Sequence, residues 1–298
     1  MSESTTPGTG RSGVIHDLGY RRYDGPREGT GAIARTLFLT GLRHAYGLER
    51  SGKSKVMPFL LLGMSLLPAA IIVGVVVLTG LRSLPVTYAG YTSQTQLLVS
   101  LFAAAQAPVL FSRDLRHRSI VLYAARPLSS AAFGFVRWLS MSVALLAFMV
   151  IPTLLMFVGA LLAGLDKSDQ LSDLYKAVVL QVFLAALVAG ITGLVSSVSL
   201  RRGFAVVGSV MVLIVLTGVV TAVQNIAQSQ GSDSVSVGAG LFSPWSLYSG
   251  LGNAWDAGTR VPVSVDGAWV PAYVLVLLLV AAGCVLGLVA RFRKVGSR

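Results

Sequence analysis

The chain has 298 residues, 54% of them hydrophobic and only 12% charged, with a mean hydropathy of +0.74. A soluble domain carries roughly 25% charged residues to keep its surface wetted, so half that share excludes an ordinary water-soluble globule and points to lipid as the medium. The formal net charge is +12, but the basic residues cluster in short segments beside apolar runs. That is how a membrane protein marks its cytoplasmic side, and it argues against nucleic acid as a partner.

Residues 1–30 are polar, rich in Gly and Arg, and lack the apolar core of a signal peptide. They read as a cytoplasmic tail, disordered over about its first ten residues. Residues 31–55 read as an interfacial helix with a basic anchor. From Gly31 to Glu49, Thr36, Thr40, Arg43 and Gly47 share one face while Ile33, Leu37, Phe38 and Leu42 spread over the others. Such a broad apolar arc suits a helix lying among lipid headgroups; a solvated juxtamembrane linker is the competing reading. Arg50, Lys53 and Lys55 would hold the anionic headgroups.

The same stretch matches the Walker A pattern letter for letter, at Gly47, Gly52, Lys53 and Ser54. A working P-loop follows a buried strand and opens a helix, so that backbone N–H groups surround the phosphates. Here an amphipathic helix precedes it, an apolar span follows, and there is no room for a sheet carrying a Walker B aspartate. The match reads as coincidence.

Six apolar segments then meet the length needed for a helical crossing, about 20 residues: 56–80, 94–111, 133–164, 176–200, 204–223 and 270–290. The predicted fold is all-α, a polytopic membrane protein of six transmembrane helices in residues 56–290, with a tail at 291–298. Helices are required because backbone groups in hydrocarbon must be bonded within their own segment. With both termini placed inside, 20 Lys/Arg lie on that side against four outside (Arg82, Lys167, Lys176 and Arg260), while the acidic residues divide six and six. The basic bias sets the orientation. Trp245, Trp255 and Trp269 would form an aromatic belt at the outer interface, and Trp138, beside Arg137, would mark the inner one.

Carriers, pumps and intramembrane hydrolases place ionisable groups near the midplane, where they are expensive. None lies inside these spans; Arg137 and Lys176 sit at span ends. Gln106, Gln181 and Thr217 are polar residues that would either line a passage or bond between helices. Gly190 with Gly193, and Gly283 with Gly287, would let helices approach closely. The single Cys284 excludes an internal disulfide, and His16, His44 and His117 are too scattered for a metal centre. No catalytic residue, cofactor site or metal site is expected in this chain.

The polar segment between the second and third spans is the most informative. Arg113, Arg116 and Arg118 surround Asp114, with His117 among them, and an apolar patch from Ile120 to Tyr123 leads to Arg126-Pro127. A short helix with a basic flank and an apolar tip, ended before the proline, would suit docking on a soluble partner. A basic loop on the inner leaflet is the alternative.

With its amphipathic N-terminal helix, its six spans and the Arg-Asp…Tyr-Ala-Ala-Arg-Pro segment after span two, the chain resembles an ABC-2 type transporter permease. Its opening Val14-Ile-His-Asp-Leu-Gly-Tyr-Arg-Arg-Tyr-Asp-Gly-Pro26 resembles the start of actinobacterial members of that group. The resemblance implies that Arg113–Pro127 is the coupling helix, docked on a separate ATPase subunit that holds ATP and Mg, and that Gly31–Glu49 is the connecting helix. It further implies a second permease chain, identical or homologous, and a path lined by spans two and five. Leu241–Gly250 would supply a re-entrant or interfacial helix, although the polar stretch Gln228–Gly240 reads more as loop. The expected function is the permease of an ATP-driven exporter of a lipid-like, amphipathic or drug-like substrate in a bacterial cell membrane, with both termini cytoplasmic. A non-transporting scaffold that recruits a cytosolic partner through its basic loops is the alternative.

Overall fold

A computed structural model describes residues 25, 29–49, 52–112, 129–199 and 201–296. The segment predicted to dock an ATPase, with Arg113, Asp114, Arg116, His117, Arg118, Ile120, Tyr123, Arg126 and Pro127, lies outside the described residues, as do Arg50 and most of the stretch 14–26. Ten helices carry the described chain: α1 (Thr30–Ala45), α2 (Lys53–Thr79), α3 (Tyr88–Gln94), α4 (Gln96–Ala107), α5 (Ser130–Leu162), α6 (Lys167–Val198), α7 (Arg202–Ser229), α8 (Asp233–Ala239), α9 (Pro244–Ala254) and α10 (Trp269–Gly296). A π-helical turn, Pro108–Ser112, extends α4, and a second, Met211–Val215, interrupts α7. No strand occurs among the described residues.

Five of these helices are long and apolar enough to cross a membrane. A sixth span is completed if α3 and α4, which meet at Thr95 with a bend of 62°, count as one broken crossing. This is the architecture of a multi-pass membrane protein.

The helix starts are written locally. Ser129 Oγ accepts from the Ala132 N–H at 3.2 Å to open α5. Asp166 Oδ1 accepts from the Ser168 and Asp169 N–H groups at 2.8 and 3.3 Å to open α6. These bonds, with one from the Ser168 hydroxyl, hold the Asp166 carboxyl below its ordinary pKa. Ser243 caps α9, with Pro244 at its first turn, where a missing N–H costs nothing.

The core forms where α5 and α6, antiparallel and joined by the turn 163–166, meet the other long helices. Phe102 of α4 stacks on Phe148 of α5 with centroids 4.6 Å apart, and Tyr46 covers Phe102 at 5.5 Å. At the end of the molecule nearest the termini, Ser112 Oγ donates to the Ser196 carbonyl at 2.7 Å and Arg291 Nε to that of Ser197 at 3.4 Å. Phe133 and Phe292 meet there edge to face. The opposite, far end carries α8, α9 and the turns joining α2 to α3 and α5 to α6.

Several predicted details change. The helix that carries the fourth span begins at Lys167, nine residues before the predicted span start at Lys176, because the Asp166 cap starts the helix in the turn itself. The stretch Gln228–Gly240, predicted as loop, is helical through most of its length: α7 runs to Ser229, α8 follows, and a 3₁₀ turn at Gly240–Phe242 leads to α9. Trp245 does not join an interfacial belt; it is buried, with Nε1 donating to Ser100 Oγ at 3.0 Å. Trp138 is half-buried, with its Nε1 donating to the Ala186 carbonyl at 3.1 Å. Arg137, placed at a span end by sequence, is buried, its guanidinium over the Phe133 ring at 5.3 Å. The predicted interfacial helix α1 is docked along α5: Tyr46 Oη donates to the Ala144 carbonyl at 2.8 Å and Ser140 Oγ to that of Phe38 at 3.2 Å. Its contact stripe is Leu37, Gly41 and Ala45.

Small residues set the helix spacing. A Cβ on Gly190 would stand 2.9 Å from Cys284 Cβ, and one on Gly159 only 2.3 Å from Val73 Cγ1. Val73 is β-branched and stiff, so Gly159→Val must push α2 from α5. Overpacking of this kind costs about 1–3 kcal/mol. Gly159→Val is therefore expected to unfold at lower temperature than wild type in mild detergent, followed by size-exclusion elution after heating. Gly74→Ala, whose Cβ meets no atom within 4 Å, should match or exceed wild type, because it removes a helix-interior glycine.

Candidate functional site

The far end holds a cavity of about 450 Å³. That falls within the range of small-molecule sites, roughly 300–1,000 Å³. Its walls come from four places. Leu84 to Thr87 and the bent pair α3/α4 give one side, with Ser93, Gln94 and Gln96; Thr217, Thr221 and Gln224 of α7 give another. Trp245, Ser246 and Ser249 of α9 form the third, and the loop Gly258–Pro262 closes the fourth.

That loop is held at both ends. Thr87 Oγ1 donates to the Gly258 carbonyl at 3.2 Å and Thr259 Oγ1 to that of Ser249 at 2.6 Å. On the other side of Arg260, Gln228 Nε2 donates to the Pro262 carbonyl at 2.6 Å. Gly258 has φ +73° and lies against Thr87, whose Cγ2 would stand 2.3 Å from any added Cβ; only glycine fits both conditions. Arg260 itself is exposed, so it meets the cavity with its charge still in reach of water.

The polar side chains on α7 and α9 are mutually bonded. Gln224 Nε2 donates to the Ser236 carbonyl at 3.2 Å, while its Oε1 accepts from Ser246 Oγ at 3.3 Å. The hydroxyls of Thr217 and Ser243 are 2.8 Å apart, and those of Ser93 and Ser249 are 3.2 Å apart. A second depression of about 320 Å³, lined by Gln96, Leu97 and Ser100 of α4 and by Leu213, Ile214, Thr217, Gly218 and Thr221 of α7, shares Gln96, Thr217 and Thr221 with the first. Together they make a groove between α4 and α7, polar at the far end and apolar below.

The three polar residues predicted from sequence separate. Thr217 lines both parts of this groove. Gln106 is buried in α4. Gln181 is fully buried at a junction of α6 with α3 and α5, where its Nε2 donates to Thr92 Oγ1 at 2.7 Å and to Thr153 Oγ1 at 2.9 Å. At the Walker-like stretch, Gly47 follows helix α1, and Ser54 Oγ donates to the Gly47 carbonyl at 3.3 Å. No group of three or more His, Cys, Asp or Glu able to hold a metal occurs among the described residues. Sequence reasoning missed Gln94, Gln96, Thr221 and Arg260 as neighbours. Only a helix within Leu241–Gly250, which the family resemblance implied, was expected beside them, and α9 (Pro244–Ala254) overlaps it.

No family model matches the chain, and no curated protein matches it in sequence.

The Gln181 junction allows a sharp test of packing against passage. Hydrogen bonds between membrane helices contribute on average about 0.6 kcal/mol each, whereas an orphaned buried acceptor costs about 1–3 kcal/mol. Gln181 Oε1 is such an acceptor, and both threonine hydroxyls keep their own carbonyl partners. Gln181→Leu is therefore expected to leave thermal stability in detergent unchanged or slightly raised, and a drop of many degrees would show that Gln181 organises more than this junction.

Proposed function

We propose that the chain is the membrane-embedded permease of an ATP-driven exporter of the ABC-2 type, working with separate ATPase subunits and a second permease chain, identical or homologous. The observation that carries this reading is the groove between α4 and α7. These helices occupy the places of spans two and five, which the family resemblance assigns to the path. Along α7, Phe204, Val207, Met211, Val219 and Ile226 are each more than half exposed. They offer an apolar face to lipid or to a second copy, with the groove beside it.

Two further features support the assignment. The helix α1 packs against the π turn Pro108–Ser112, from which the chain passes directly into the basic segment 113–127. A push on that segment would reach the bundle through α4 and α1 together. The bundle is also tightly tied by small-residue contacts and buried hydrogen bonds, as a rigid-body switch between two orientations of the path requires. In this reading the chain is no enzyme: ATP and Mg are held by the partner ATPases, both termini are cytoplasmic, and the cargo is lipid-like, amphipathic or drug-like. The membrane is the bacterial cell membrane.

The assembly is tested by purifying the tagged chain from its own membranes, beside a variant carrying Tyr123→Asp and Arg126→Glu. We expect a subunit with ATP-hydrolysing activity to accompany the wild type and to be lost from the variant. Wild-type chain that arrives without any ATPase would remove the basis of the exporter reading and favour a scaffold. Single cysteines at Leu97, Met211, Val215 and Val219, in a Cys284→Ala background, report on the second permease. At least one is expected to give a disulfide-linked dimer in oxidised membranes, and a cysteine at Leu286 on α10 is expected to give none.

A further inference from the structure

The groove has a chemical polarity that narrows its occupant. Among the described residues, Arg260 is the only charged one lining either part of it. The far end as a whole is acidic: it carries six Asp against four Lys or Arg. One of those cations, Lys176, is already engaged with the Asp256 carbonyl at 2.9 Å. Arg260 is thus no part of a diffuse basic surface. An anion arriving there meets one attractive point in a surrounding of opposite sign, and the guanidinium presents a planar fork suited to a carboxylate or phosphate.

That point is fixed in place. The bonds of Thr259 and Pro262 to α9 and α7 pin the loop on both sides of Arg260, so little ordering is left for a ligand to impose. Around it, Gln94, Gln96 and Thr221 bring side-chain groups into the cavity that no hydrogen bond within the described residues takes up. Below them the lining is mostly apolar: Leu97, Leu213, Ile214 and Gly218 line a depression between α4 and α7, and the Ser100 and Thr217 hydroxyls there are already bonded to Trp245 and Ser243. A small soluble anion would use the upper part and leave the lower one empty. An amphiphile would use both.

We propose that the cavity and the groove below it are one binding site for an amphiphile with an anionic headgroup, the head against Arg260, Gln94 and Gln96, and the acyl chain between α4 and α7. As an identification of the cargo this rests on the exporter reading; as a binding site it belongs to a single chain.

The test uses the purified full chain in neutral maltoside micelles. Radiolabelled myristoyl lysophosphatidylglycerol and myristoyl lysophosphatidylcholine are the probes, and sodium phosphate is the competitor. Wild type is expected to bind the anionic lipid about tenfold more tightly than the zwitterionic one, the size of one charge-assisted contact. Arg260→Gln should abolish that preference, weakening the anionic lipid about tenfold and lysophosphatidylcholine, whose choline cation offsets its phosphate, far less. Gly218→Phe should weaken both lipids at least tenfold. A Cβ at that position meets no atom within 4 Å, so the ring fills the groove without disturbing the fold, and unchanged elution of the variant checks this. Equal binding of the two lipids by wild type, or a preference that survives Arg260→Gln, overturns the headgroup assignment. Phosphate that competes at the lipid's own concentration overturns the amphiphile and leaves a site for a free anion. None of these outcomes depends on an ATPase, so failure here and failure of the exporter reading are separate results.

Discussion

A backbone group inside hydrocarbon has no water to fall back on, and the bend at Thr95 is where this chain meets that constraint most directly. A 62° break between α3 and α4 would ordinarily strand donors and acceptors. Here the Thr95 N–H still donates to the Tyr91 carbonyl at 3.0 Å, and the Val99 N–H to that of Thr95 at 3.1 Å. The Thr95 hydroxyl adds bonds to the Tyr91 and Thr92 carbonyls. With the bonds of Thr95 itself kept, the pair turns there, and the turn makes room for α9. Trp245 and Tyr248 then reach back to Ser100 and to the Ala89 carbonyl. The far-end cavity is the space left between the bent pair, α7 and the helix that fills the bend.

Seen from this bend, the molecule has two regimes. Close helix contacts run the length of the bundle, α1 on α5 through Gly41 and α6 on α10 through Gly190 toward the termini and α2 on α5 through Gly159 at the far end, but toward the termini the side chains fill the space between them. Toward the far end, short helices and pinned loops leave volume, and the polar groups face it. A transporter divided in this way would take its mechanical input at the tight end and handle its cargo at the open one. The proposed roles of the basic segment and of the α4–α7 groove follow that division.

The long crossings were legible in the sequence because their signal is a sum over about twenty residues. A few polar residues do not disturb it, and the apolar runs lie on α2, α5, α6, α7 and α10, overshooting a helix end by two residues at most. The broken span was half legible: the apolar run from Gln94 covers α4, but Tyr88–Gln94 is short and mixed, and only contacts from Tyr88 and Tyr91 to α6 and α2 place it inside. The segment around α8 failed for the same reason. Its Gly and Ser residues read as loop when counted alone, yet Ser236 exchanges bonds with Gln224 on the neighbouring helix α7. A residue such as Arg260 was visible as a charge but not as a neighbour of Gln94, more than 160 positions earlier in the chain. No local pattern encodes that proximity; it comes from the bend.

The π turn at Met211–Val215 in α7 has a consequence for the surface that helix presents. A π turn takes about one residue more than an α turn for the same advance. The side-chain stripe beyond it is therefore rotated around the helix axis, as though a single letter had been inserted into the text. In α7 the stripe before Met211 and the stripe after Val215 point in different directions, although they belong to one rod. The helix can show one face to its neighbours near the termini and another at the far end. A deletion of one residue in that turn would restore a continuous stripe and turn Thr217, Thr221 and Gln224 away from the cavity together.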